Sequence, residues 1–170
     1  MANRPRVDLD GEIMHECYAH ASDRGVTIVL DIGRPDSVCW QPDAVACIAK
    51  KYPHTTFVLC HLLTPQRGDG EVLKSALGKL AAPNVYFDIA SLCSNQKPET
   101  FPYPTAAAHL RTAKAVVGAD RLMFGSDMPS TLARDSYSHL IEFVSCSGVF
   151  TDEELEAVFY GTADKVYFKN

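Results

Sequence analysis

What the sequence lacks narrows the field first. It has six cysteines, Cys17, Cys39, Cys47, Cys60, Cys93 and Cys146, but no two stand in C-x-x-C spacing. A zinc knuckle and a thioredoxin-type centre are therefore not encoded, and the thiols are expected to be reduced. There is no run of Lys and Arg, and the net charge is −5, so the electrostatic footprint of a nucleic-acid binder is missing. No apolar run approaches the ~20 residues that cross a bilayer. The first residues, Met1 to Arg6, are polar and lack the apolar stretch of a secretory leader. The expectations are a cytoplasmic location and neither nucleic acid nor membrane as a partner. Phosphate-cradling G-x-x-x-x-G-K-[ST], dinucleotide-type G-x-G-x-x-G after a strand and the G-x-S-x-G elbow are all absent. So are H-x-H and H-E-x-x-H, which leaves His15, His20, His54, His109 and His139 as surface or core residues on helices and helix ends.

What is present is ordinary in composition and regular in pattern. With 46% apolar and 22% charged residues, the chain reads as a globular domain and excludes a disordered tail, a collagen-like repeat and a disulfide-dense mini-protein. Its 170 residues suggest one domain over 1–170, with residues 1–10 as a flexible arm. Four short apolar runs rich in β-branched and aromatic residues suit buried strands: Val26–Leu30, Phe57–Cys60, Val85–Phe87 and Arg121–Phe124. Helical patterns alternate with them over Ile13–Arg24, Pro42–Lys51, Glu71–Ala82, Thr105–Val117, Asp135–Ser147, Asp152–Tyr160 and Ala163–Phe168. Strands alternating with helices of this length mean βα repeats and a parallel sheet. The stretch from Ser91 to Pro104 is a long, proline-rich loop, of the kind that often carries function.

Polar groups fall at the strand ends. The first strand runs into Asp31, the second into His61, the third into Asp88 and the fourth into Gly125-Ser126-Asp127. In parallel α/β folds, ligands gather at the carboxyl edge of the sheet, and a buried strand that ends in a charge needs a partner. Each group also has a structural reading. Asp31 can cap the Gly33–Pro35 turn or pair with Arg34. His61 can bond a loop carbonyl, and Asp127 can be a turn aspartate. The strand carrying Asp88 can continue past it. A Cys60–His61 nucleophilic dyad is not expected, because neighbours on a strand point to opposite faces.

These residues resemble a known family. Asp120-Arg121-Leu122-Met123-Phe124-Gly125-Ser126-Asp127-Met128-Pro129 looks like the last-strand signature of the amidohydrolase-related proteins, a group of TIM-barrel hydrolases and decarboxylases. Tyr52–His61 is similar to that family's sixth strand with its histidine, Asn84–Ser91 to its seventh, and Phe159–Tyr167 to its terminal helix. The resemblance implies an α/β fold of parallel βα repeats corresponding to strands five to eight of a (β/α)₈ barrel. That is a partial barrel, since a complete one takes roughly 250 residues. It implies a hydrolase, or a decarboxylase or lactonase, acting on a small carboxylated or cyclic substrate. Asp127 and His61 would be the catalytic pair, with Asp31, Arg34, Asp88 and Ser91 as substrate contacts. It also implies a divalent metal, zinc first, for which Asp127, His61 and Asp31 are the available donors. The family's His-x-His strand is absent and Asp31 stands where its fifth strand carries a histidine, so a metal-free lactonase-type site is the alternative. The open edges of half a barrel call for a second copy of the chain or a complementing half-barrel partner, and a non-catalytic half-barrel subunit is the other alternative.

Overall fold

The computed structural model describes residues 7–168. Four strands, β1 (Ile28–Leu30), β2 (Phe57–Leu59), β3 (Val85–Asp88) and β4 (Leu122–Met123), form one parallel sheet in the order β1-β2-β3-β4. The register runs Leu30–Leu59–Phe87–Leu122 across all four strands, so each strand neighbours the next in the chain, as in an arc cut from a barrel. The expected partial barrel is what forms.

Helix α1 (Glu12–Arg24) precedes β1, and α2 (Pro42–Lys51), α3 (Gly70–Leu80) and α4 (Pro104–Val117) carry the three crossovers. α5 (Tyr137–Cys146), α6 (Asp152–Glu156), a π-helical turn over Ala157–Gly161 and α7 (Thr162–Tyr167) follow β4. Local sequence sets their limits. Gly25 ends α1 in the left-handed conformation, at φ 65°. Pro42 opens α2. The Ser136 hydroxyl caps α5, and a Thr151–Glu154 capping box starts α6. In α3 the buried positions are Leu73, Ala76, Leu77 and Leu80, one stripe at helical spacing.

Alternation along the strands sorts side chains into two layers. Leu30, Phe57, Leu59, Val85, Phe87 and Leu122 face the helices and join the main core. Val58, Tyr86 and Met123 point to the opposite, concave face, where Val166 of α7 completes a second cluster. In a closed barrel that interior is filled by the other strands; here the chain's own last helix fills part of it. The C-terminal segment also covers one sheet edge, since the Phe124 N–H donates to the Val158 carbonyl at 2.7 Å. It reaches the start of β1, where the Thr27 hydroxyl donates to the Val166 carbonyl at 2.7 Å. On β1 itself, Val29 stays 50% exposed while its register partner Val58 is fully buried. Of the arm expected over residues 1–10, residues 1–6 lie outside the described residues. Leu9 is buried, its carbonyl accepting the Tyr18 hydroxyl at 2.9 Å, so that part is docked against α1.

Candidate active site

Beyond β2, β3 and β4 the backbone changes abruptly. After β2, four successive residues, His61, Leu62, Leu63 and Thr64, hold positive φ of 60°, 48°, 63° and 53°. Ser91 beyond β3 has φ 57°, and Asp127 beyond β4 has φ 52°. Non-glycine residues in this left-handed region cost roughly 1–2 kcal/mol each. Such conformations persist only where surrounding structure holds them, and they concentrate at functional sites.

The holding groups are visible. One oxygen of Asp88 accepts the main-chain N–H of His61 at 2.8 Å and that of Ala90 at 3.0 Å. The Ser91 hydroxyl donates to Asp127 Oδ2 in a short hydrogen bond. Gly125 admits a close approach between the ends of β3 and β4: a Cβ built on it would stand 3.0 Å from that of Ala90. The hydroxyl of Thr131 donates to the Ser126 carbonyl at 2.7 Å and closes the loop after β4.

Cys60 directly follows β2, and its side chain is hydrogen-bonded to Asp88. Burial pushes its thiol from the ordinary 9.0 up to about 12, and the charges of Asp88, Asp31 and Asp127 add to the effect, together with a hydrogen bond to Asp88. The same environment keeps the thiol protonated at neutral pH. Beside it, Nδ1 of His61 is buried without a hydrogen-bond partner. Asp88 Oδ1 stands 3.9 Å from that nitrogen, too far for a hydrogen bond. A buried polar atom left unpaired calls for a partner that is not part of the chain.

The sequence-derived residues fall out as follows. Asp88 is bonded to the main chain of His61, and Asp127 to the hydroxyl of Ser91. Asp31 is exposed and its carboxylate accepts the Gly33 N–H at 3.0 Å, so it caps its own turn and does not pair with Arg34. Arg34 is exposed on the same loop. Asp88 and Ser91, expected as substrate contacts, are bonded to His61 and Asp127. The donor set expected for zinc does not assemble. Among the described residues, no three or more His, Cys, Asp or Glu side chains are grouped to hold a metal ion. Ser91 occupies an oxygen of Asp127, and Asp31 is turned to its own loop. The residues of this chain therefore do not fit a resident metal. Sequence reasoning missed the bond of Cys60 to Asp88 and the bond of Ser91 to Asp127. No local signal announces either, because both depend on how three loops meet.

Comparisons with known proteins bear on the family and the fold. A family model described as amidohydrolase matches residues 2–169. The chain belongs to the amidohydrolase family. An amidohydrolase from Burkholderia multivorans with bound zinc superposes on this amidohydrolase chain with a TM-score of 0.83 at 22% identity, covering 94% of this chain and 58% of that one. A protein from Pseudomonas putida described as a 2-pyrone-4,6-dicarboxylic acid hydrolase gives 0.72 at 20% identity, covering 96% and 59%. A protein from Acinetobacter baumannii given the same description, with citric acid bound, gives 0.72 at 12% identity, covering 95% and 60%. The chain therefore spans somewhat under two thirds of the length of these solved relatives. No curated protein matches it in sequence. Among the described residues, no helix is long and apolar enough to cross a membrane.

Proposed function

We propose that this amidohydrolase chain carries the hydrolytic half-site of an enzyme that cleaves a small cyclic or carboxylated ester or amide. The observation that carries the reading is the tying of the His61 main chain to Asp88 and of Asp127 to Ser91, beside a ring nitrogen of His61 that is buried and unpaired. Asp127 is the general base: its carboxylate takes a proton from water as the water oxygen adds to the substrate carbonyl carbon. The ring of His61 donates to the carbonyl oxygen as charge develops on it. When the carbon–oxygen or carbon–nitrogen bond breaks, Asp127 returns its proton to the leaving atom. Arg34 and Asp31, exposed on the loop after β1, meet the substrate's charged and polar substituents. Two solved relatives described as hydrolases of a cyclic dicarboxylate, one holding citric acid, support a carboxylated substrate.

The metal-free, lactonase-type form of this reaction is supported by the donor geometry, since Ser91 holds one oxygen of Asp127 and Asp31 caps its own turn. The test is turnover of 2-pyrone-4,6-dicarboxylate by the chain and by its Asp127→Asn and His61→Ala variants. Each substitution is expected to lower kcat by about 10²–10⁴-fold, the usual contribution of a positioned proton-transfer group. Unchanged turnover in Asp127→Asn overturns the assignment.

The partner reading follows from the exposed face of β1. A second copy of the chain, or a complementing half-barrel, would pair with β1 and cover Val26 and Val29, which are 54% and 50% exposed. Sedimentation mass of the active species decides: activity that resides in a monomer contradicts this reading.

A further inference from the structure

The two groups assigned to chemistry, His61 and Asp127, stand at the ends of β2 and β4, and the end of β3 lies between them. We propose that the end of β3 is a positioning element, in which Ser91 fixes the Asp127 carboxylate, Asp88 fixes His61, and neither residue contacts substrate. This inference rests on the hydrolytic reading of Asp127 and His61.

Ser91 has a single hydroxyl proton, and it is donated to Asp127 Oδ2. One face of the Asp127 carboxylate is thereby fixed. Oδ1 carries no hydrogen bond among the described residues and is the oxygen left to take a proton. The two residues joined in this way both sit in the left-handed region, at φ 57° and φ 52°. A serine and an aspartate held there on adjacent strand ends, with their side chains meeting, form a cross-link between loops, and the hydrogen bond offsets part of the backbone strain.

Asp88 does the corresponding work on the other side. Its Oδ1 receives the N–H of His61, the first residue of the left-handed run, and the N–H of Ala90, the residue before Ser91. The His61 ring is then set by a main chain that the carboxylate holds in place. Ala90 and Ser91 are adjacent, so one short segment of the β3 end is tied at once to the β2 end through Asp88 and to the β4 end through Ser91. Contact of Ala90 with the position of Gly125 closes the same junction from the main-chain side. A side chain whose polar atoms are already committed in this way has little left to offer a ligand.

Ser91→Gly is the informative variant. Glycine adopts φ 57° without strain, so the fold is kept while the hydroxyl is lost. Two readouts are taken. The Hα–Hβ coupling constants of Asp127 report its side-chain rotamer without any substrate. The kinetic constants on 2-pyrone-4,6-dicarboxylate report catalysis. The expected result is one Asp127 rotamer in the natural chain and averaged couplings in Ser91→Gly, with kcat lowered about 10-fold or more and KM within about twofold. Ser91→Cys, which keeps a weak donor, should fall between the two. A single unchanged rotamer in Ser91→Gly overturns the proposal. So does a rise in KM at constant kcat, which would make Ser91 a substrate contact. If turnover in Asp127→Asn equals that of the natural chain, the hydrolytic reading fails, and the rotamer measurement still decides whether Ser91 fixes Asp127.

Discussion

Asp88 and His61 are joined through the main chain: the carboxylate at the end of β3 accepts the His61 N–H at 2.8 Å, while the His61 ring nitrogen nearest to it lies 3.9 Å away and unpaired. The bond therefore orients the histidine and leaves its ring available. The left-handed turn from His61 to Thr64 starts at that bond.

Asp88→Ala removes the acceptor for the N–H groups of His61 and Ala90. A hydrogen bond to a charged group contributes about 1.5–3 kcal/mol, so a loss of about 2–3 kcal/mol of unfolding free energy is expected in urea titration. The Cys60 thiol is held at about 12 by burial first and by the Asp88 charge next. Removing that charge lowers the thiol's titration point, which the pH dependence of its alkylation rate measures.

Alkaline stability follows from the same thiols. Cys60 and Cys93 both titrate at about 12 in the folded chain, raised from 9.0, with burial the largest cause in each. A pKa raised on folding means that the unfolded chain loses its proton first. The contribution to stability is complete below pH 9.0 and disappears as pH rises toward about 12. Urea midpoints should fall across that interval, and Cys60→Ser should fall less steeply.

Gly125→Ala would push a methyl group to within 3.0 Å of the Ala90 Cβ, which has no flexible end to move aside. The main chains of the two strand ends must separate, at a cost of about 1–3 kcal/mol. Turnover should fall as well, because the Ser91–Asp127 bond spans the same gap. Adding Ala90→Gly makes room and should restore both melting temperature and activity.

Asp135 ties the β3 loop to α5. It accepts the Tyr103 hydroxyl at 2.6 Å, and His139 Nδ1 lies 2.5 Å from its other oxygen. Burial raises the Asp135 carboxyl, but the bonds from Tyr103, the Ser136 N–H and His139 outweigh it and hold the group below its ordinary 3.8. A pKa lowered on folding gives stability that is present above pH 3.8 and lost as pH falls through the folded value. Tyr103→Phe should weaken that acid-side loss and cost about 1 kcal/mol at neutral pH, measured by thermal unfolding.

The repeat of strands and helices was legible because its signals are local. Apolar runs marked all four strands, and α2 matches its expected limits, Pro42 and Lys51, residue for residue. β4 came out shorter than Arg121–Phe124 because the Phe124 N–H pairs with Val158 outside the sheet. α5 begins at Tyr137, two residues later than expected, because the Ser136 hydroxyl caps it and Asp135 is bound to Tyr103. Within the site, the placing of Asp31, His61, Asp88 and Asp127 at or just beyond the strand ends was legible from the alternation of βα units. The Ser91–Asp127 bond and the left-handed run at His61 were not, since no residue there is a glycine or asparagine that would announce positive φ. Filling of the concave face by Val166 also escaped the sequence, because it depends on contact between segments more than 40 residues apart.

The central claim is that Asp127 and His61 face one substrate carbonyl. A crystal structure of the Asp127→Asn chain with 2-pyrone-4,6-dicarboxylate tests it most directly. The account predicts the ring carbonyl oxygen within hydrogen-bond distance of the His61 ring and its carbon turned toward position 127. A probe bound away from the strand ends, or with its carbonyl turned from His61, contradicts it.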